Sequence, residues 1–256
     1  MTTATMSVPQ PTAMPTLNKV TFALLVGFVA SLQISIAAAN ILLVLILICW
    51  VASLAQERRR PVVPPCALPL ATYAVVTLIA SAFSLDPVAS FVDDKQLLVF
   101  LIVPVVYDVA RGERTSLVLD VIVSVGAASA AYGIVQYGML HYDNLGRRPE
   151  GAMSHYMTYS GLLMLVLSVA AATLIFGRRG RTWPALVMPA LVVALALTLG
   201  RSAWVGASLA VGLLFALKDF RLTALLPLLI ALIFAMAPDT VTKRLMSIFD
   251  VQDPTN

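Results

Sequence analysis

Thr198-Leu199-Gly200-Arg201-Ser202-Ala203-Trp204 separates two long apolar runs, Trp183 to Leu199 and Ala203 to Leu217. An apolar run that stops at an arginine and restarts at once reads as two membrane helices meeting in a tight loop. A guanidinium stays charged at any accessible pH, and placing it in hydrocarbon costs from about 2.5 kcal/mol upward. Arg201 therefore belongs at a membrane rim. Two uses of it stay open at this point: a residue facing water or lipid headgroups, or a fixed charge that holds an anion.

The rest of the chain fits that reading. Its 256 residues are 60% hydrophobic and 12% charged, against roughly 25% charged in a soluble domain. Apolar runs of about 20 residues recur, as in a polytopic helical membrane protein. They do not alternate apolar and polar residues as the strands of an outer-membrane barrel would. The net charge of +4 comes from Lys and Arg in the loops and is no nucleic-acid footprint, so no nucleic acid is expected as a partner. No glycine-rich phosphate cradle occurs, which leaves no visible home for chemistry on ATP or a sugar nucleotide. Cys49 and Cys66 are the only cysteines, and neither a structural disulfide nor a metal site is expected of them.

Val20 to Leu54 is apolar almost throughout. As one helix it would be about 52 Å long, against a hydrocarbon core of about 30 Å. Gln33, Ser35 and Asn40 lie near its middle, so the run divides into spans at about 20–36 and 39–55. Further spans are read at about 66–84, 95–110, 115–138, 153–176, 183–200, 202–217 and 222–237. The expected fold is all-α, a polytopic transmembrane helical bundle of about nine spans. It occupies 18–237, after a disordered tail at 1–17 and before the start of a periplasmic region at 238–256. The tail holds no Lys or Arg and so makes no signal-peptide n-region.

Alternate loops divide the positive charge. One side holds Lys19, Arg58, Arg59, Arg60, Arg111, Arg114, Arg178, Arg179, Arg181, Lys218 and Arg221. The other holds Lys95, Arg147, Arg148, Arg201, Lys243 and Arg244. The richer side is cytoplasmic by the positive-inside rule. The Arg201 loop, the loop from Met139 to Ser154 and the stretch from Pro238 onward then share the outer face.

That outer loop carries both histidines, His141 and His155, with Asp143 and Glu150. Their spacing matches no metal-ligand pattern, and no metal is expected. His155 also suits a helix start. Asp120 lies about one and a half turns inside its span, at a depth where carboxylates snorkel or pair. Asp93-Asp94-Lys95 reads as a solvated helix cap. Arg201, Arg148 and Arg147 share the rim. An arginine fork suits phosphate because it donates two parallel hydrogen bonds. Next to a departing diphosphate it would also lower the barrier to transfer.

Two stretches resemble the O-antigen ligase family, within the wider group of polytopic glycan ligases and polymerases. Thr198-Leu199-Gly200-Arg201-Ser202-Ala203-Trp204 looks like the family's Thr-x-Ser-Arg-Gly-x-Trp segment. Arg148-x-x-Gly151-x-x-x-His155-x-x-Thr158-x-x-Gly161 resembles its earlier Arg-x-x-Gly-x-x-x-His-Pro segment at the start of a span. The Asn40-Ile41-Leu42-Leu43 run is also typical. The resemblance implies an enzyme of the inner membrane, multi-pass, with its active face periplasmic, in lipopolysaccharide or polysaccharide biosynthesis. Such a glycosyltransferase moves a glycan from undecaprenyl diphosphate to an acceptor hydroxyl, on lipid A–core or a growing polysaccharide. It implies no cofactor, because the diphosphate bond already holds the activation. It assigns diphosphate binding to Arg201 and places Arg148 and His155 in a substrate-binding motif. The family's proposed base histidine lies in a periplasmic region beyond a segment like Arg244-Leu245-Met246-Ser247-Ile248-Phe249-Asp250. No position of this sequence matches it, so the catalytic residue is unassigned. The resemblance covers the N-terminal portion of the family, and this chain alone is expected to be inactive.

Two other classes stand beside that reading. A transporter or lipid-handling membrane protein would show interrupted spans with polar residues at the midplane, whereas these gather at the rim. A non-catalytic scaffold subunit of a polysaccharide assembly system would tolerate loss of Arg201.

Overall fold

The computed structural model describes residues 16–144, 146–153, 155–177, 180–224, 227 and 231. Most of the tail at 1–17, most of the ninth span at 222–237 and the whole of 238–256 therefore lie outside the described residues. Helix begins at Thr16, inside the stretch expected to be disordered. Among the described residues the regular structure is helical. The exception is an isolated bridge between Asn144 and Arg147. The α-helices are α1 (Thr16–Ser31), α2 (Ile36–Glu57), α3 (Ala67–Ala82), α4 (Pro87–Asp93), α5 (Ile102–Val109), α6 (Glu113–Met139), α7 (Tyr156–Phe176), α8 (Thr182–Leu197) and α9 (Arg201–Lys218).

The long run from Val20 to Leu54 forms two helices, as its length demands. The break falls at Leu32–Ser35, earlier than the sequence suggested. Ser31 closes the first helix by accepting from the N–H groups of Ile34 and Ser35 at 2.9 and 2.8 Å. Ser35 then starts the second, its Oγ accepting from Ala38 N, in the manner of an N-cap serine.

The span expected at 95–110 takes a different form. Asp94–Leu101 is a 3-10 helix, and only Ile102–Val109 is α-helical. Pro104 explains the break. It has no N–H for the carbonyl of Phe100, and its ring would crowd that carbonyl in a continuous α-helix. The tighter winding rises faster, so the two pieces together still cover about 28 Å. Asp86, not Asp93 or Asp94, supplies the cap nearby: its Oδ1 accepts from Ala89 N at 3.1 Å, with Pro87 at the first helical position.

α2, α6, α7 and α9 are long and apolar enough to cross a membrane, and α1, α3 and α8 are shorter apolar helices. The chain reads as a membrane protein. Its described surface is rich in large apolar side chains, among them Leu68, Leu186, Leu209 and Leu213, which in water would be a large liability.

The chain divides into two compact units. The first comprises residues up to Phe28 and Asn40–Gly112. In it α1 and α2 lie side by side, with Gly27 facing Leu42 and Asn18 Nδ2 donating to Glu57 Oε1 at 2.7 Å. A buried carboxylate organises one end. Asp108 accepts from Trp50 Nε1 at 2.9 Å and from Arg59 Nη1 at 3.0 and 2.7 Å, with Arg111 Nη2 at 3.9 Å. Burial opposes the charge on Arg59. The hydrogen bonds and charges of Asp108 and Glu57 outweigh it and hold the guanidinium above its ordinary range.

The second unit comprises Val29–Ala39 and the chain from Glu113 onward. α6, α7, α8 and α9 pack together, and their contacts use small residues, as membrane helices do. Ala130, Ala170 and Ala194 are buried. A Cβ at Gly126 would come within 2.4 Å of Val166 Cγ1, and one at Gly206 within 2.4 Å of Met164 Sδ. α7 and α9 run parallel. At one end Gly200 sits against Ser160; at the other the Lys218 ammonium lies 5.7 Å from the Phe176 ring centre.

Candidate functional site

The candidate site is the end of the second unit at which α7 and α9 begin. Gln136, buried on α6, makes the side-chain hydrogen bonds that hold the segment between α6 and α7 there. Its Oε1 accepts from the N–H groups of Glu150 and Gly151 at 3.1 and 2.9 Å, and its Nε2 donates to Gly151 O at 3.0 Å. Its backbone carbonyl accepts from Tyr142 N at 3.1 Å, after His141 has turned the chain with φ 57°. Asn144 Oδ1 then accepts from Gly146 N and Arg147 N at 3.0 and 2.9 Å, closing a tight reversal.

Gly151 has φ +61°, and a Cβ there would lie 2.5 Å from the Tyr159 ring. Both facts require glycine. Tyr159, buried in the first turn of α7, donates its hydroxyl to Ser129 O at 2.9 Å across Gly133. The loop is thus docked on α6 and α7 by Gln136 and Tyr159, neither of which the motifs single out. The signal was present in part: each is a polar group within an apolar run, and such groups need partners inside the protein.

The segment before α9 is equally constrained. Thr198 is fully buried; its Oγ1 donates to Leu195 O at 2.7 Å and accepts from Gly200 N at 3.3 Å. Trp204 Nε1 donates to the same carbonyl at 2.9 Å. Leu199 is buried with φ 55°, a conformation costing a side-chain-bearing residue about 1–2 kcal/mol. A Cβ at Gly200 would press on Ser160 Oγ at 3.2 Å. These contacts fix where Arg201 starts.

Arg201 is the first residue of α9 and is half-buried. That is the positive end of the helix dipole, which disfavours a cation and favours an anion. Neither α7 nor α9 carries an acid in its first turn. His155 is the N-cap of α7, its Nδ1 accepting from Met157 N at 3.2 Å, and its ring stacks on Tyr156 at 4.9 Å. Arg148 is half-buried with its guanidinium 4.3 Å from the Tyr156 ring centre, and Arg147 lies 4.3 Å from that of Tyr142. Arg148 and His155 thus both lie against Tyr156, where α7 begins. Because Gly200 packs on Ser160, Arg201 begins the neighbouring helix at the same end. Asp120 is exposed on α6, on a different stretch from these residues. Among the described residues no three His, Cys, Asp or Glu side chains are grouped to share a metal ion. Cys49 and Cys66 are both free.

Comparison of the chain with protein-family models, curated proteins and solved structures finds no match.

Proposed function

We propose that the chain is an O-antigen ligase-like glycosyltransferase, carried by about nine spans in the bacterial inner membrane with its working end periplasmic. In this reading the site takes an undecaprenyl-diphosphate-linked glycan. Arg201 binds the diphosphate, and Arg148 and His155 lie beside it. The acceptor hydroxyl, of lipid A–core or a growing polysaccharide, attacks the anomeric carbon. The bond from that carbon to the diphosphate oxygen breaks, and the electron pair leaves on the diphosphate. A guanidinium there stabilises the departing charge. The base that takes the hydroxyl proton is not among the residues the resemblance matches.

The observation that carries this reading is the position of Arg201. A buried, strained segment delivers it to the start of α9 beside the start of α7, where the helix dipoles favour an anion. The test is Arg201→Lys in the protein expressed in its native membrane. Lysine keeps the charge but loses the two-pronged contact. Glycan transfer should fall at least tenfold, with membrane expression unchanged. Transfer at the wild-type rate would refute the assignment and favour a scaffold role.

A further inference from the structure

In the first unit, α2 closes on a strained residue. Arg58 N donates to Ala55 O at 3.3 Å and Arg59 N to Leu54 O at 3.2 Å, the paired closing bonds of a Schellman turn. The left-handed position of such a turn usually falls to glycine, because a side chain strains it. Here it is Arg58, with φ 48°. The turn delivers Arg59 to Asp108 at 2.7 Å and to Glu57, and Arg111 lies 3.9 Å from Asp108. Those two carboxylates answer Arg59 and Arg111. Arg58 and Arg60, on either side of Arg59 in the chain, are exposed. Among the described residues their side chains make no hydrogen bond or ion pair. Lys19 is exposed too, and it begins at the same end because its neighbour Asn18 bonds Glu57.

An apolar row leads to this charge. Ile41, Val44, Ile48 and Val51 are exposed on α2 at intervals of three and four, so they share one face of the helix. Ala55, also exposed, continues the row, and Arg58 stands at the next interval. From Ile48 to Glu57 the helix rises about 14 Å, close to half of a hydrocarbon core of about 30 Å. A phospholipid has that form: one leaflet's length of acyl chain ending in a phosphate. Arginine meets phosphate with a two-pronged set of donors, and basic residues at a membrane surface attract anionic headgroups. We propose that this end of α2 binds an anionic phospholipid, with Arg58 and Arg60 on its phosphate and an acyl chain along Val51 and Ile48. The strained turn then has a use, because it sets a cation where glycine would set none. The proposal rests on the membrane reading alone and is independent of Arg201.

The test uses the full chain in nanodiscs of phosphatidylcholine, which is zwitterionic, with a minority of anionic phosphatidylglycerol. Native mass spectrometry reads the lipid that stays bound. One arginine beside an anionic headgroup is worth about fivefold in occupancy, so two should retain phosphatidylglycerol about 25-fold over its share in the disc. Arg58→Gly should lower that retention about fivefold, and Arg58→Gly combined with Arg60→Gln should abolish the preference. In pure phosphatidylcholine Arg58→Gly should also raise the melting temperature by about 2–4 °C, since glycine relieves the turn. Arg181→Gln removes one exposed arginine from the second unit and should leave retention unchanged. An equal loss in Arg181→Gln would mark a diffuse attraction between net charge and anionic lipid, and would overturn the proposal. Wild-type retention in the double variant would overturn it as well. So would displacement of the lipid by millimolar inorganic phosphate, which would mark a soluble anion as the occupant. A melting temperature unmoved by Arg58→Gly would refute the account of the strained turn.

Discussion

Replacing Gln136 by leucine nearly keeps the side-chain volume at a buried α6 position and removes every side-chain hydrogen bond by which it ties the loop between α6 and α7, leaving only the backbone bond from Tyr142 N. Three hydrogen bonds are lost, from Glu150 N, from Gly151 N and to Gly151 O. At about 1 kcal/mol net each, the loop loses about 3 kcal/mol, and more where the freed backbone groups stay buried. Each 1.4 kcal/mol is tenfold, so the opening equilibrium should shift about a hundredfold, up to the limit of a fully open loop. The loop carries its own reporter. Arg147 is an exposed site for trypsin, whereas the Arg148–Pro149 bond is resistant. Under conditions where opening precedes cleavage, the rate of cutting after Arg147 reads the open population. Gln136→Leu should raise that rate by about two orders of magnitude. Gln136→Glu keeps the two acceptor contacts, loses the donor to Gly151 O, and should fall between. A variant cut at the wild-type rate would refute the idea that this amide holds the loop.

The other expectations follow from close packing and a buried charge. Gly133→Ala would place a methyl 2.0 Å from the Tyr159 hydroxyl; it should destabilise the fold by about 1–3 kcal/mol, read as a lower melting temperature in detergent. Little change there would mean that Tyr159 does not cross Gly133. Asp108→Ala strips the acceptor from Trp50 and one partner from Arg59. Breaking a buried ion pair costs about 3–5 kcal/mol, and the lower part of that range applies here because Arg59 is partly exposed and keeps Glu57 at 2.5 Å. Thermal unfolding should occur earlier, with altered tryptophan emission, while Asp108→Asn, which still accepts from Trp50, should lose less.

The helices were legible because membrane insertion demands long apolar runs, and a run too long for one crossing has to turn. Ser35 marks where, because its side chain caps the start of α2, whereas Asn40 lies within that helix. The 3-10 stretch at Asp94–Leu101 was missed because hydropathy is blind to the hydrogen bond that Pro104 removes. That Arg201 and the loop before α7 meet at one end followed from counting spans. It needed no knowledge of side chains. What fixes them there was not readable, because the partners of Gln136 and Tyr159 are backbone groups, whose donors and acceptors are the same at every residue.

Gln33 and Gln136 show the limit most sharply. Both are glutamines within apolar sequence, and the same physics says that each needs partners inside the protein. Sequence cannot distinguish them, yet one amide makes three hydrogen bonds to its own chain and the other leaves its oxygen without one. Gln136 therefore accounts for itself as an anchor of the loop. The equally buried Gln33 amide has no such account from the fold for its oxygen, although its nitrogen is tied to Ile122 O.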